Sequence, residues 1–420
     1  MNKFEKVRGM HNVSIEEANL WSHVSGFSTT LLKSFSYSEI RLPIVEYTDL
    51  FKRSVGDETD IVNKEMFSFN SKSEKSLTLR PEGTAGCMRA SIDLGLVDAG
   101  PQRLFYSGPM YRYERPQKGR NREFYQLSAE IYGIDSMFAE IELFQIIEKI
   151  IKNYQIRDYS LEINSLGSED DQKKFSKALQ NYLKPLKNKL DKDSQNRLEK
   201  NPLRILDSKL SKTQELLINA PKISEYRSQA SNDKFELLKK LLNDLEINFQ
   251  ENINLVRGLD YYNDSVFEWK SSSLGSQNTL CAGGRYDSLS KKLGGRATPA
   301  VGVSLGLDRL ILACKDKFVL PSTKKIAVIA LEQGFLKKSI FVSEKIRSSF
   351  PNIQIRNSGL DNNLKSQLKK ADKNNFNFAV ILGREEVESN SYTLKDLDSG
   401  KNHEKLSLDE LISFLKLRNE

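Results

Sequence analysis

The stretch that decides the fold of this 420-residue chain is 110–132, MYRYERPQKGRNREFYQLSAEIY. Its ends, MYRYER at 110–115 and EFYQLSAEIY at 123–132, alternate as strands do, and PQKGRNR between them predicts a hairpin loop. One face of the second strand is mostly polar and carries Phe124, Gln126, Ser128, Glu130 and Tyr132. The other face is apolar and suited to a core, and it carries Tyr125, Leu127, Ala129 and Ile131.

The polar faces of this hairpin predict a binding platform. Arg112 and Glu114 share a face of the first strand if its alternation holds. Arginine is a planar, permanently charged fork suited to phosphate, and the ring of Phe124 can stack on a base. Carboxylates such as Glu130 can accept a hydrogen bond from an amino group or an imidazole N–H. On pattern alone, an ordinary solvated sheet face remains the alternative.

Composition narrows the class of protein. Lysine and arginine number 64 against 56 acidic residues, so the net charge of +8 is compatible with a polyanionic partner. The sequence has no run of 18 apolar residues, so no membrane span is predicted. The N-terminus lacks an apolar signal core, so we expect a cytoplasmic protein. Three cysteines and three histidines stand without ligand spacing, which predicts neither a disulfide framework nor a bound metal.

The wider pattern predicts the organisation of the chain. The first part of the chain predicts an amphipathic helix at 14–35 with a Ser14–Glu17 capping box, an edge or interface strand at 37–46 containing Pro43, short strands at 77–79 and 103–107, and a helix at about 138–153. A glycine-free helical insert is predicted at 170–250, followed by strands at 255–270 and 279–282 and a linker at 315–324. After the linker, the pattern predicts strands at 326–331, 352–356 and 377–382, helices at 335–348 and 362–375, and a last helix after a Ser407–Glu410 capping box. Alternating strands and helices after the linker indicate an α/β domain.

Three further motifs carry candidate functional residues. They are RGLDYY at 257–262, CAGGRYD at 281–287 and AVGVSLGLDRL at 300–310. If the first is a strand, Tyr261 and Tyr262 point to opposite faces, and core packing is the plain alternative for such a pair. The third has glycines at a strand-to-helix entry, but it is neither a P-loop nor a dinucleotide fingerprint.

These segments, with RPEGT at 80–84, resemble in order the class II aminoacyl-tRNA synthetases, and RGLDYY with GRYD resembles the histidyl-tRNA synthetase family. The resemblance covers the whole chain. It implies an α+β fold: an antiparallel-sheet catalytic domain at 1–320, interrupted by a helical insertion domain at 170–250 and followed by an α/β anticodon-binding domain at 325–420. The segment around Pro43 resembles the motif that lies at a dimer interface, so a homodimer is expected.

The resemblance implies ATP-dependent attachment of L-histidine to its cognate tRNA. The reaction passes through histidyl-adenylate and releases AMP and pyrophosphate, with ATP as a substrate accompanied by Mg²⁺ and no tightly bound protein metal. The alternative is the histidine-binding regulatory subunit of ATP phosphoribosyltransferase, which resembles the same catalytic domain. That alternative predicts loss of the RGLDYY arginine and of the C-terminal domain, and this chain has both.

The resemblance also implies roles for individual residues. Arg257 and Arg112 are the expected catalytic residues. The expected ATP-binding residues are Arg112, Glu114, Arg120, Phe124, Arg257 and Arg309. The expected histidine-binding residues are Glu82, Gly83, Thr84, Gln126, Glu130, Tyr261, Tyr262 and Tyr286. Arg115 and Gln117 are the expected contacts to the tRNA acceptor end. Two positions depart from the family pattern: Asp308 stands where glutamate is usual, and Ala282 interrupts a glycine run.

Overall fold

The computed structural model describes residues 4–57, 59–206, 208, 210–275, 277–321, 323–358 and 363–418. The chain divides into two compact units, Met1–Val319 and Leu320–Glu420. Over the described ranges, every helix is too short or too polar to cross a membrane.

The first unit combines ten α-helices with eleven strands in its described part. Its helices are α1 Ile15–Ser34, α2 Thr48–Val55, α3 Thr84–Asp93, α4 Phe138–Asn153, α5 Glu169–Leu183, α6 Lys192–Lys200, α7 Ser211–Leu217, α8 Gln229–Asp244, α9 Leu289–Lys292 and α10 Leu307–Cys314. Its strands are β1 Ser38–Glu39, β2 Val45–Tyr47, β3 Phe67–Asn70, β4 Ser76–Leu79, β5 Gln102–Tyr111, β6 Glu123–Tyr132, β7 Tyr159–Ser165, β8 Gln250–Glu251, β9 Asn263–Ser271, β10 Thr279–Arg285 and β11 Ala300–Gly306.

An eight-stranded sheet forms the centre of this unit, in the order β1-β5-β6-β11-β10-β9-β7-β8. Only the outermost pairs, β1 with β5 and β7 with β8, are parallel. Helix α4 is buried along most of its length, and its acidic side chains are paired: Glu140 with Arg285 and Glu142 with Arg103. Because buried carboxylates are costly unless they are paired, these bonds let a charged helix lie in the core.

Three strand predictions were wrong in their bounds. The strand predicted at 255–270 begins only at Asn263, as β9. The predicted strand at 37–46 is two short strands, β1 and β2, which belong to different sheets, and Pro43 lies between them. Proline has no N–H for a ladder, and the chain changes sheets where it occurs. The predicted strand at 110–115 is the end of the long β5, which stops at Tyr111. Arg112 and Glu114 therefore lie in the loop beyond the sheet.

The insert at 170–250 is largely helical, as predicted. Side chains of its first part form their own apolar cluster: Phe175, Leu179, Leu183, Leu190, Leu198, Ile205, Ala220 and Ile223. Helix α8 instead packs on α4, β7 and β9 of the main sheet. The first part of the insert thus has a small core of its own, whereas α8 covers the sheet; a separate insertion domain remains a proposal.

The second unit alternates strands with helices and then ends in a hairpin and a helix. Its elements are β12 Lys325–Ala330, α11 Leu336–Ser349, β13 Gln354–Ser358, α12 Leu364–Lys373, β14 Phe378–Leu382, α13 Arg384–Glu388, β15 Tyr392–Asp396, β16 Asn402–Leu406 and α14 Leu408–Leu417. The sheet order is β13-β12-β14-β15-β16, parallel for the first three strands and antiparallel for the last two. The hairpin was not predicted. Residue 362, where α12 was predicted to begin, lies outside the described residues.

Candidate active site

A cavity of about 340 Å³ opens over one face of β6, β10 and β11. The loops that follow β5 and precede β9 close its sides. Eleven of the sequence-predicted residues line it: Glu82, Thr84, Arg112, Glu114, Arg120, Phe124, Gln126, Arg257, Tyr261, Tyr262 and Arg309. The sheet therefore brings together side chains that are up to 227 positions apart in the sequence.

Cationic side chains dominate one end of the cavity. Arg112 donates from Nε to the Pro81 carbonyl at 2.9 Å, and its guanidinium lies 5.3 Å from the centre of the Phe124 ring. Arg309 donates to the carbonyls of Gly119 (2.8 Å) and Thr279 (2.7 Å). Burial, and then the neighbouring arginines, lower the pKa of Arg309 to about 10. Several positive charges held together out of water favour a polyanion such as a triphosphate.

The loop at 115–122 forms the rim of the cationic end. Gln117 and Arg120 exchange backbone hydrogen bonds across its tip, where Gly119 takes a positive φ of 73°. Arg120 pairs with Glu114, and both side chains line the cavity, so Arg120 points inward. Arg115 and Gln117 are exposed on the outer side of the loop and do not line the cavity. They are available to a partner larger than a nucleotide.

Other side chains of the cavity lining suit an amine. Glu82 accepts the backbone N–H groups of Thr84 (2.7 Å) and Ala85 (2.9 Å) at the start of α3, and burial raises its pKa. The hydroxyl of Tyr261 lies 3.4 Å from Glu82 Oε2. The side-chain oxygen of Gln126 is buried and has no hydrogen-bond partner within the described part of the chain. A buried acceptor without a donor is costly, and an ammonium group would satisfy it.

Glu130 lies behind the cavity wall and does not line the cavity. Its carboxyl group accepts hydrogen bonds from the hydroxyls of Thr84 (2.9 Å), Tyr106 (2.9 Å) and Tyr286. Burial raises the pKa of Glu130 to about 8, although these three donors favour the ionised form. Gly302 is its partner on β11, and a Cβ atom there would overlap the carboxyl group. Glycine at 302 is therefore what leaves room for this carboxyl.

RGLDYY is a turn and not a strand, so the prediction of opposite-facing tyrosines was wrong. The rings of Tyr261 and Tyr262 lie against each other, with centroids 4.6 Å apart, and Tyr286 packs 5.4 Å from Tyr261. The turn forms because its Asp260 N–H bonds to the Val55 carbonyl of α2 and not to a neighbouring strand. The result is an aromatic wall. Gly83 lies outside the cavity lining, and a Cβ there would overlap the Tyr106 ring.

Sequence reasoning missed one acidic side chain at the site, Glu268, left the role of Asp308 open and misplaced one tyrosine. Glu268 of β9 lines the cavity and binds Arg257 at 3.1 Å, and Thr279 donates to the same carboxylate. The sequence signal for Glu268 is a single acidic residue within the mostly apolar segment SVFEW. Asp308 Oδ2 accepts the Tyr125 N–H at 2.6 Å, which fastens α10 to β6. Tyr125 is 37% exposed and packs edge-on against Trp21, so it does not lie in the core.

Metal ligands are scarce in this site. Among the described residues, no group of three or more His, Cys, Asp or Glu side chains could hold a metal ion. Two of the carboxylates that line the cavity, Glu114 and Glu268, are paired with arginines. Carboxylate oxygens are the protein ligands that Mg²⁺ prefers, and it is usually bound by one or two of them together with substrate phosphates. The donor set therefore fits an ion that arrives on a nucleotide.

The antiparallel sheet, the arginine-lined cavity and the separate α/β unit define a class II aminoacyl-tRNA synthetase. Residues 9–310 match the histidyl-tRNA synthetase family, and residues 325–418 match the anticodon binding domain family. The Histidine--tRNA ligase of Francisella philomiragia is 43% identical over 420 residues, which cover 99% of this chain and 99% of that protein. The Histidine--tRNA ligase of Francisella tularensis subsp. novicida is also 43% identical over 420 residues, which cover 99% of this chain and 100% of that protein. The chain belongs to the histidyl-tRNA synthetase family, which confirms the resemblance.

Solved structures agree with this assignment. Apo histidyl-tRNA synthetase of S. aureus superimposes with a TM-score of 0.82 at 28% identity, over 99% of this chain and 100% of that one. A Bacillus halodurans structure described as an ATP phosphoribosyltransferase regulatory subunit/histidyl-tRNA synthetase gives 0.63 at 21% identity, over 88% and 97%, and shows the fold alone. The regulatory-subunit alternative is less supported, since the family assigns this chain the charging of tRNA with histidine.

Proposed function

We propose that the cavity binds ATP and L-histidine side by side and joins them as histidyl-adenylate, before the histidyl group passes to tRNA. The observation that carries this proposal is that two kinds of groups line one cavity. Its arginines suit phosphates, and the unpaired oxygen of Gln126 together with the carboxyl of Glu82 suits an ammonium group. A substrate pair that brings a polyanion and an ammonium group matches that lining.

Positioning and charge neutralisation account for the first step. A carboxylate oxygen of histidine attacks the α-phosphorus of ATP, and the bond to pyrophosphate breaks. Arg112 and Arg257 neutralise the negative charge that develops on the α-phosphate oxygens. Mg²⁺ accompanies ATP and neutralises its phosphates when bound. In the second step a ribose hydroxyl of the tRNA terminus attacks the acyl carbon, gives up its proton, and AMP leaves.

Adenine fits between Phe124 and the guanidinium of Arg309, and Glu114 accepts from its amino group. Glu114 pairs with Arg120 in the structure, so ATP binding exchanges one ion pair for two new contacts. Arg120 then turns to the terminal phosphates, where its charge meets a stronger anion. The binding free energy of the triphosphate therefore includes the cost of opening this pair.

Histidine recognition uses the tyrosine-rich end of the cavity. Glu82, Thr84 and Gln126 bind the α-amino group. Tyr262, which lines the cavity, and Glu130 bind the two imidazole nitrogens; Glu130 lies behind the wall, so its carboxyl must turn from its hydroxyl partners to reach the ligand. Tyr261 forms part of the pocket wall, Tyr286 packs behind it, and Gly83 leaves room for the Tyr106 ring. A pocket that pairs both imidazole nitrogens favours histidine over apolar analogues by about 10⁴-fold in kcat/KM. An apolar analogue would leave the buried polar groups of the pocket unpaired.

The tRNA contacts are assigned to two places. Arg115 and Gln117 on the exposed rim loop meet the acceptor end. The second unit carries 17 basic and 13 acidic residues over 321–420, and it binds the anticodon arm through phosphate contacts. The protein acts in the cytoplasm as a homodimer. Ile44, Val45 and Tyr47, which follow Pro43, are exposed apolar side chains that suit such an interface.

A charging assay tests the proposal. Wild-type protein with ATP, Mg²⁺, labelled L-histidine and tRNA is expected to yield acid-precipitable histidine. Arg257→Ala should lose at least about 100-fold, since it removes charge that stabilises the transition state. Arg41→Ala is the matched control, because Arg41 is exposed and, among the described residues, its ion-pair partner is Glu39 on the surface. Wild-type protein that leaves the tRNA uncharged would contradict the proposal.

A further inference from the structure

The helical insert contacts the RGLDYY turn mainly through one buried side chain, Arg204. Two other insert side chains also donate to this turn: Asn201 to Asp260 Oδ1 at 2.9 Å, and Gln172 to the Tyr262 carbonyl at 3.1 Å. Arg204 lies in the short turn Pro202–Ile205 between α6 and α7 and is 8% exposed. Its guanidinium donates from Nε (2.9 Å) and Nη2 (2.6 Å) to Asp260 Oδ1, and from Nη1 (2.7 Å) to the carbonyl of Arg257. All three of these bonds go to the RGLDYY turn. A lysine could not reproduce them, because an ammonium is a point donor and a guanidinium is a rigid fork.

The same turn is held from the other side by α2. The Asp260 N–H bonds to the Val55 carbonyl at 2.9 Å. Gly56 has a φ of 101°, and a Cβ atom on it would overlap the Asp260 carboxylate. The turn is therefore clamped between α2 and Arg204. Since it belongs to no strand, these contacts replace the ladder that would otherwise fix its backbone.

The clamp acts on the residue with the central catalytic role. Arg204 fixes the main chain of Arg257, and Glu268 binds the far end of its side chain at 3.1 Å. A long, flexible arginine places its charge reproducibly only if both ends are held. A displacement of about 1 Å in a reacting group costs on the order of 100-fold in rate.

We infer that Arg204 is a positioning residue for histidyl-adenylate formation, acting through Asp260 and the backbone of Arg257. The helical insert then contributes to the first step even without tRNA. This inference rests on the proposed function, which gives Arg257 its role at the α-phosphate.

The test is histidine-dependent exchange of pyrophosphate into ATP, measured in the absence of tRNA on the full chain. Arg204→Met keeps the stem volume, and Asp260→Ala removes the carboxylate from the other side. Each is expected to lower kcat about 30-fold per folded molecule, with a much smaller change in the KM for histidine. Arg204→Lys should not rescue kcat. The double variant should fall no further than the worse single variant, because the residues act as one unit.

Lys64→Ala is the matched control, because Lys64 crosses the same junction to Asp193 at 3.5 Å and otherwise pairs with Asp60. It should exchange as the wild type does. Unchanged kcat in Arg204→Met, or a loss confined to tRNA charging, would overturn the inference and leave the proposed function standing. Full rescue by Arg204→Lys, or additive losses in the double variant, would also overturn it. No exchange by the wild type would overturn the proposed function and this inference with it.

Discussion

The buried carboxyl of Glu130 should make the free energy of unfolding depend on pH. Burial raises its pKa to about 8, against an ordinary value of 4.5 in the unfolded chain. Below pH 4.5 both states hold the proton. Between pH 4.5 and 8 only the folded state holds it, so the free energy of unfolding falls as pH rises, by about 1.4 kcal/mol per pH unit. Above pH 8 this contribution is fully lost.

Glu130→Gln removes the titrating group and keeps the shape. From pH 5 to pH 8, the wild type should therefore lose about 4 kcal/mol relative to the variant, while all other groups cancel in the difference. Urea unfolding followed by tryptophan fluorescence measures the first unit alone, since Trp21 and Trp269 are the only tryptophans. Tyr286→Phe removes a donor that favours the ionised form, so it should extend the pH window upward. Parallel stability curves for wild type and Glu130→Gln would refute the reasoning.

Two further predictions rest on single contacts, and a third rests on the division of the chain into two units. Gly302→Ala places a methyl group against Glu130 and should lower histidine-dependent pyrophosphate exchange at least about 100-fold. Gly26→Ala is the control, because Gly26 has open space around it and the substitution should leave exchange unchanged. Equal activity of the two variants would contradict this prediction. Asp308→Ala removes the acceptor of a backbone N–H of β6 and should lower the free energy of unfolding by about 1 kcal/mol in a urea titration. An unchanged midpoint would show that the bond is dispensable. Deletion of 322–420 should weaken tRNA charging far more than exchange, and equal loss in the two assays would argue against an anticodon role for the second unit.

Local patterns predicted much of the fold. The Ser407–Glu410 capping box of α14 was confirmed, and of the Ser14–Glu17 box of α1 the structure has the bond from the Glu17 N–H to the Ser14 side chain. Both are predictable because a cap is encoded within a few residues. The prediction of one continuous strand through Pro43 was wrong for a physical reason. The residues do alternate, but the length of a short strand depends on which sheet it pairs with. The hairpin of β15 and β16 was missed because its few alternating residues carry a weak signal.

The site was predictable where residue type states the chemistry. Arginines, an aromatic ring and carboxylates at motif spacing predicted the cavity lining, and Arg309 and Gln126 lie in it. Side chains that hold these groups were not predictable. Arg204 meets Asp260 across 56 positions, and Glu268 meets Arg257 from another element. Such partners depend on the tertiary fold, and a single sequence carries no spacing rule for them.

The measurement that tests the central claim most directly is pyrophosphate exchange into ATP with each of the twenty amino acids in turn. The account predicts exchange with L-histidine alone, because only an imidazole pairs the buried groups around Glu130 and Tyr262. Exchange with several amino acids would contradict the proposed pocket. No exchange with histidine, together with histidine binding by calorimetry, would contradict adenylate formation and favour a histidine-binding regulatory role.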